Sequence, residues 1–150
     1  MKKKKLEQHY FGVMARNYDQ KRVKTKKWQA EQRIVESFLE ELSRPLDIID
    51  IPVGIGRFFP SFSRGQDNVV GIDISSDMLD AARQHPNAGA CNLSLAMGDI
   101  FNLDCGAKSF DCAICIRFLN LVDSNRMMRA LSALESMSRF YVIAGVRFIP

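Results

Sequence analysis

Five short apolar runs, at residues 46–51, 68–73, 93–97, 110–116 and 140–146, punctuate this chain, and they constrain its fold more than any other feature. Runs of this length are too short for helices and fit strands, and their near-continuous apolar character fits strands covered on both faces. Before and between them lie stretches with helical spacing. Trp28, Ile34, Val35, Phe38, Leu39 and Leu42 predict a helix over 28–42 that stops at Ser43-Arg44-Pro45. A short helix is predicted over 57–64, with Pro60 near its first turn. Ser75 caps another that runs to about residue 84, before Pro86. The last is predicted over 125–137, where Met127, Met128, Leu131, Leu134 and Met137 form a core-facing stripe. Strands alternating with helices specify an α/β architecture: a doubly wound, mainly parallel sheet with right-handed crossovers and helices on both faces.

Length and composition narrow the class further. A chain of 150 residues suits one domain with a core of its own, and 47% hydrophobic with 25% charged residues is ordinary globular usage. No apolar run is long enough to span a membrane, and none follows the N-terminal lysines as in a signal peptide, so the expected address is cytoplasmic. Charge is unevenly placed. Residues 1–33 hold 11 of the 21 Lys and Arg but 3 of the 17 Asp and Glu, a net +8 that leaves −4 for residues 34–150. Residues 1–27 therefore read as a basic arm or lid and residues 28–150 as the ligand-binding domain. Such an arm is able to bind nucleic acid, although a solvated surface is the favoured reading. Cys112 and Cys115 form a CxxC on a strand, where residues three apart face opposite ways, so they do not chelate a metal together. With Cys91 and Cys105 isolated, four reduced thiols and no metal are expected. His9 and His85 stand alone and are given no catalytic role.

In a doubly wound sheet the ligand lies beyond the carboxyl ends of the strands. The informative residues fall there. Asp50 to Gly56 closes the first strand, Asp73 the second, Gly98-Asp99-Ile100 follows the third, and residues 115–120 follow the fourth. Gly54 and Gly56 permit a sharp turn and a close backbone approach to a ligand. Asp73 is placed to accept two hydrogen bonds from a ribose diol. Asp99 is placed to accept from an adenine amine, with Ile74, Met78 and Ile100 as apolar walls for the ring. Arg117 and Asn120, after the fourth strand, are candidates for orienting an acceptor's carboxylate or hydroxyl. A nicotinamide-binding turn would require a third glycine at position 59, where Phe59 stands.

These segments together resemble the class I S-adenosylmethionine-dependent methyltransferases, of the small-molecule kind. Asp50 to Arg57 is similar to their D-x-G-x-G-x-G-R turn. Val70-Gly71-Ile72-Asp73-Ile74-Ser75 with Met78-Leu79 is similar to their ribose segment, and Met97-Gly98-Asp99 to their adenine segment. Phe110-Asp111-Cys112-Ala113-Ile114-Cys115 is similar to their fourth strand, and Met14-Ala15-Arg16-Asn17-Tyr18-Asp19 to the A-x-x-Y-D element of their lid helix. Pro52 departs from the pattern: it stands at the first glycine, removing an N–H and fixing φ.

The resemblance implies a Rossmann-like domain that binds S-adenosyl-L-methionine. It implies that Tyr18 closes over the methionine part, that Asp50, Val53, Gly54 and Gly56 hold the amino acid end, and that Asp73 holds the ribose. It also implies that Ile74, Met78, Asp99 and Ile100 hold the adenine, with Cys115 at the fourth strand's end. The expected reaction is methyl transfer to a small-molecule or lipid-like acceptor, since residues 117–120 lack the [DN]-P-P-[YF] signature of many amide and adenine methylases. The alternatives are an RNA methyltransferase using the basic arm, a cofactor-binding module without turnover and, from another class, a nicotinamide-dependent oxidoreductase. The family continues with two further strands beyond the fifth. Their absence here would leave residues 140–146 as an apolar edge, with self-association as the expected consequence.

Overall fold

The computed structural model describes residues 25–146. Helix α1 (Lys26–Glu41) starts at Thr25, whose side chain accepts a hydrogen bond from the Trp28 N–H, and buries Trp28, Val35 and Leu39. Strand β1 (Asp47–Asp50) leads into a turn and then α2 (Phe59–Gly65). This helix begins two residues later than its sequence suggests, because residues 51–58 are occupied by the turn. Strand β2 (Asn68–Asp73) follows, then α3 (Ser76–Arg83), capped by Ser75 as expected. After β3 (Asn92–Met97) and β4 (Phe110–Cys115), a 3-10 turn (Leu119–Leu121) precedes α4 (Ser124–Met137), capped by Asp123. Strand β5 (Ser138–Ala144) starts directly at the end of α4, two residues before the apolar run that announces it.

The sheet order is β3-β2-β1-β4-β5 and every pairing is parallel. Two apolar layers cover it. Ile48, Val69, Cys112 and Ile114 face α1, α2 and α3 through Val35, Leu39, Phe59, Phe62 and Leu79. Ile49, Ile72, Ala113 and Cys115 face α4 through Ala130, Leu134 and Met137. Cys112 and Cys115 thus lie in opposite layers, and all four cysteines are unpaired. Burial pushes both thiols up to about 12, which makes them inert packing groups. No helix among the described residues is long and apolar enough to cross a membrane. Along β5, Phe140, Tyr141 and Val142 are partly or largely exposed.

The amino ends of the strands carry a continuous polar ladder. Asn92 donates to Asn68 (2.8 Å), Asn68 donates to Asp47 (2.9 Å), and Arg139 donates to both Asp47 (3.0 Å) and Asp111 (2.9 Å). Asp111 also accepts the backbone N–H of Asp47 at 2.9 Å. All five strands are joined by their side chains at this end, which fixes their mutual register.

Candidate functional site

At the opposite end of the sheet lies a cavity of about 560 Å³, within the size range of small-molecule sites. Strand β1 delivers Asp50 to its floor and the chain then turns. The Val53 N–H donates to the Ile72 carbonyl (2.8 Å), and the Gly54 N–H donates to Asp73 Oδ2 (2.9 Å). Gly54 has φ +57°, in the left-handed region that glycine occupies without strain. Gly56 has φ +85°, and any Cβ there would strike the Phe59 ring at 2.3 Å. Gly56 therefore serves the packing of Phe59 beneath the turn and does not line the cavity.

The acids at the ends of β1 and β2 are both buried. Asp73 is buried; its Oδ1 accepts from the Ser75 N–H (2.9 Å). Burial raises its carboxyl above the ordinary range, against the pull of the Ser75, Gly54 and Ile74 N–H groups. Asp50 is buried, and burial followed by the Asp73 charge raises its carboxyl well above that range, with the Arg57 charge opposing this. Among the described residues no donor hydrogen-bonds it. Asp99 lines the cavity too, accepting from the Phe101 N–H (3.0 Å) and the Asn102 amide (3.3 Å). Ile74, Met78, Ile100 and Phe101 provide apolar wall beside these acids, with Ile74 61% exposed and so available for contact.

Of the residues expected from sequence, Asp50, Val53, Gly54, Asp73, Ile74, Met78, Asp99, Ile100 and Arg117 all line this one cavity, as does Pro52. Cys115 is fully buried below it, and Asn120 lies on the 3-10 turn outside its lining. Tyr18 lies outside the described residues. The structure adds a wall that sequence reasoning missed: Trp28, Arg57, Phe58, Phe118, Leu121, Val122 and Arg126. Its organising group is Glu31 on α1. One carboxylate oxygen, Oε2, accepts from Arg57 Nη1 and Arg117 Nε, both at 2.7 Å. Burial alone would raise the Glu31 carboxyl, but the hydrogen bonds and charges of the two arginines bring it below the ordinary range. Arg57 also donates to the Trp28 carbonyl (2.7 Å), and the guanidinium carbons of Arg57 and Arg117 lie 3.6 and 4.6 Å from the centre of the Trp28 ring.

These residues suit a ligand of definite chemistry. Two repelling, buried carboxyls, one of them without a hydrogen-bond donor, are stabilised by a molecule that brings ammonium, sulfonium or hydroxyl groups. The flat apolar walls next to them suit a nucleobase. Among the described residues no group of histidines, cysteines and acids is arranged to hold a metal ion.

Comparison with known proteins agrees with this geometry. The model of a family described as a methyltransferase domain matches residues 48–139, and the chain belongs to that family, within the class I S-adenosylmethionine-dependent methyltransferases. The ubiquinone biosynthesis O-methyltransferase of Coxiella burnetii is 28% identical over 88 residues, 58% of this chain and 38% of that protein. The chain thus spans well under half the length of the curated relatives it matches. The magnesium protoporphyrin IX methyltransferase of Synechocystis PCC 6803, solved with S-adenosylhomocysteine, superposes with a TM-score of 0.74 at 18% identity, covering 92% of this chain and 68% of that one. The phosphoethanolamine N-methyltransferase 1 of Haemonchus contortus gives 0.63 at 22% identity, covering 73% and 23%. The five-stranded parallel sheet is the Rossmann-like fold of these enzymes, and the family's cofactor is S-adenosyl-L-methionine.

Proposed function

We propose that this chain binds S-adenosyl-L-methionine across the carboxyl ends of β1, β2 and β3 and transfers its methyl group to a small-molecule or lipid-like acceptor lying against the Trp28–Arg117 wall. The observation that carries this reading is the pairing of Asp50 and Asp73, two buried acids facing one cavity at the switch point of the sheet. In this reading Asp73 accepts the ribose hydroxyls, Asp50 the α-ammonium group, and Asp99 the adenine amine between Ile74, Met78 and Ile100.

When bound, the cofactor supplies an activated methyl group open to in-line displacement. The chain's own residues fix both reactants within reach and exclude water. Among the described residues the cavity lining holds no histidine or lysine, which supports a contribution made chiefly by alignment. The four unpaired thiols support a reducing, cytoplasmic setting.

The test is calorimetric titration with S-adenosylhomocysteine beside NADH. Saturable binding of the first without the second is expected. Binding of NADH alone would move the chain to the oxidoreductase class.

A further inference from the structure

The cavity is bipolar. Asp50, Asp73 and Asp99 stand on the β1–β3 side together with Arg57, which is engaged by Glu31, Gln32 and the Trp28 carbonyl, whereas Arg117 and Arg126 stand on the side formed by the β4 end and α4. Arg117 has φ +64°, a left-handed conformation that costs a non-glycine residue free energy and that clusters at functional sites. Of its five N–H donors, the structure shows Nε engaged by Glu31; the two terminal Nη groups hydrogen-bond no described residue. Even the Glu31 oxygen is shared, since Arg57 donates to it as well. Arg126 has a ring in place of an anion: its guanidinium carbon lies 4.5 Å from the Phe101 ring centre, and no described carboxylate pairs with it. Ile116, Phe118, Leu121 and Val122 supply the surroundings, all apolar.

We propose that this end of the cavity is an anion subsite, and that the methyl acceptor is an apolar molecule bearing a carboxylate or phosphate group, with Arg117 as its specificity-determining residue. The proposal rests on the cofactor reading above. A neutral acceptor would cover the partly buried Arg117 fork without supplying an anion, at a cost. A carboxylate or phosphate presents two acceptor oxygens in the geometry a guanidinium fork matches. Glu31 acts as a placeholder that keeps Arg117 aligned through Nε and leaves the fork end for the ligand.

Trp28, the chain's sole tryptophan, lies against both the Arg57 and Arg117 guanidiniums and reports on the subsite directly. The experiment titrates the full chain, saturated with S-adenosylhomocysteine, with benzoate, phenyl phosphate and benzamide while following Trp28 fluorescence. At least one anion is expected to bind about tenfold tighter than benzamide, and which one does so identifies the group. Arg117→Gln should abolish the preference with an unchanged dissociation constant for S-adenosylhomocysteine, which also shows that the variant is folded. Arg117→Lys, which keeps the charge without the fork, should retain part of it, and Glu31→Gln should tighten anion binding. Equal affinity for benzamide and both anions, or an intact preference in Arg117→Gln, overturns the subsite and leaves the cofactor reading standing. Failure of S-adenosylhomocysteine to bind overturns that reading instead, and the anion preference is then measured on the free chain, where its absence overturns the subsite too.

Discussion

The two ends of the sheet treat polar residues in opposite ways. At the amino end, Asn92, Asn68, Asp47, Asp111 and Arg139 satisfy one another across all five strands. At the carboxyl end, Asp50 and Asp73 are packed close together in a buried setting that favours their protonated forms. One end is paired internally and gains stability. The other gathers two buried carboxyls, both raised chiefly by burial, into one cavity lining. The contrast points to the carboxyl end as the binding end, since Asp50 there is buried with no hydrogen-bond donor among the described residues.

The contrast breaks most readily at Asp73. Asp73→Ala is expected to weaken S-adenosylhomocysteine binding by about 1.5 to 3 kcal/mol, the worth of charge-assisted hydrogen bonds. Calorimetry showing unchanged affinity would remove Asp73 from the ribose role. A smaller effect is expected in the pH dependence of stability. Both acids have carboxyls raised in the folded state, so the folded chain binds more protons than the unfolded one between the ordinary carboxyl range and the raised values. Their contribution to stability therefore falls as pH rises from about 4 through that window. Thermal unfolding of the free chain against Asp73→Asn across this range should show the difference growing in favour of the variant; a difference independent of pH would contradict the burial argument. The smallest effect is at the amino end, where Arg139→Ala should lower the melting temperature slightly, less so at high salt, and leave ligand affinity unchanged. A loss of affinity in that variant would show that the two ends are not separable.

Much of this was legible in the sequence, for identifiable reasons. Apolar runs alternating with helical spacing gave the parallel sheet, and the rule that ligands lie beyond strand ends collected Asp50, Gly54, Asp73 and Asp99 at one place. Periodicity does not say which strand-end residue faces the cavity. Cys115 turned into the layer under α4, and Gly56 proved to make room for Phe59. The Trp28–Glu31–Arg57–Arg117 wall had no local signal at all, because Glu31 meets Arg57 and Arg117 from 26 and 86 residues away. Likewise Ser138 gives no turn signal, so the immediate passage from α4 into β5 is set by pairing with β4.

If the carboxyl-end acids are kept at a cost to the free fold for the sake of a positively charged, hydroxylated ligand, Asp50→Asn should separate stability from binding. Replacing that carboxyl removes the cost of either burying it ionised beside Asp73 or protonating it, while keeping the side chain's size. Effects of opposite sign are expected in this one variant. The free protein should be stabilised by roughly 0.5 to 2 kcal/mol, as when a strained functional group is relieved, while S-adenosylhomocysteine binding weakens by about tenfold. A variant that is less stable and binds as tightly as the parent would show Asp50 to be a structural residue with no part in binding.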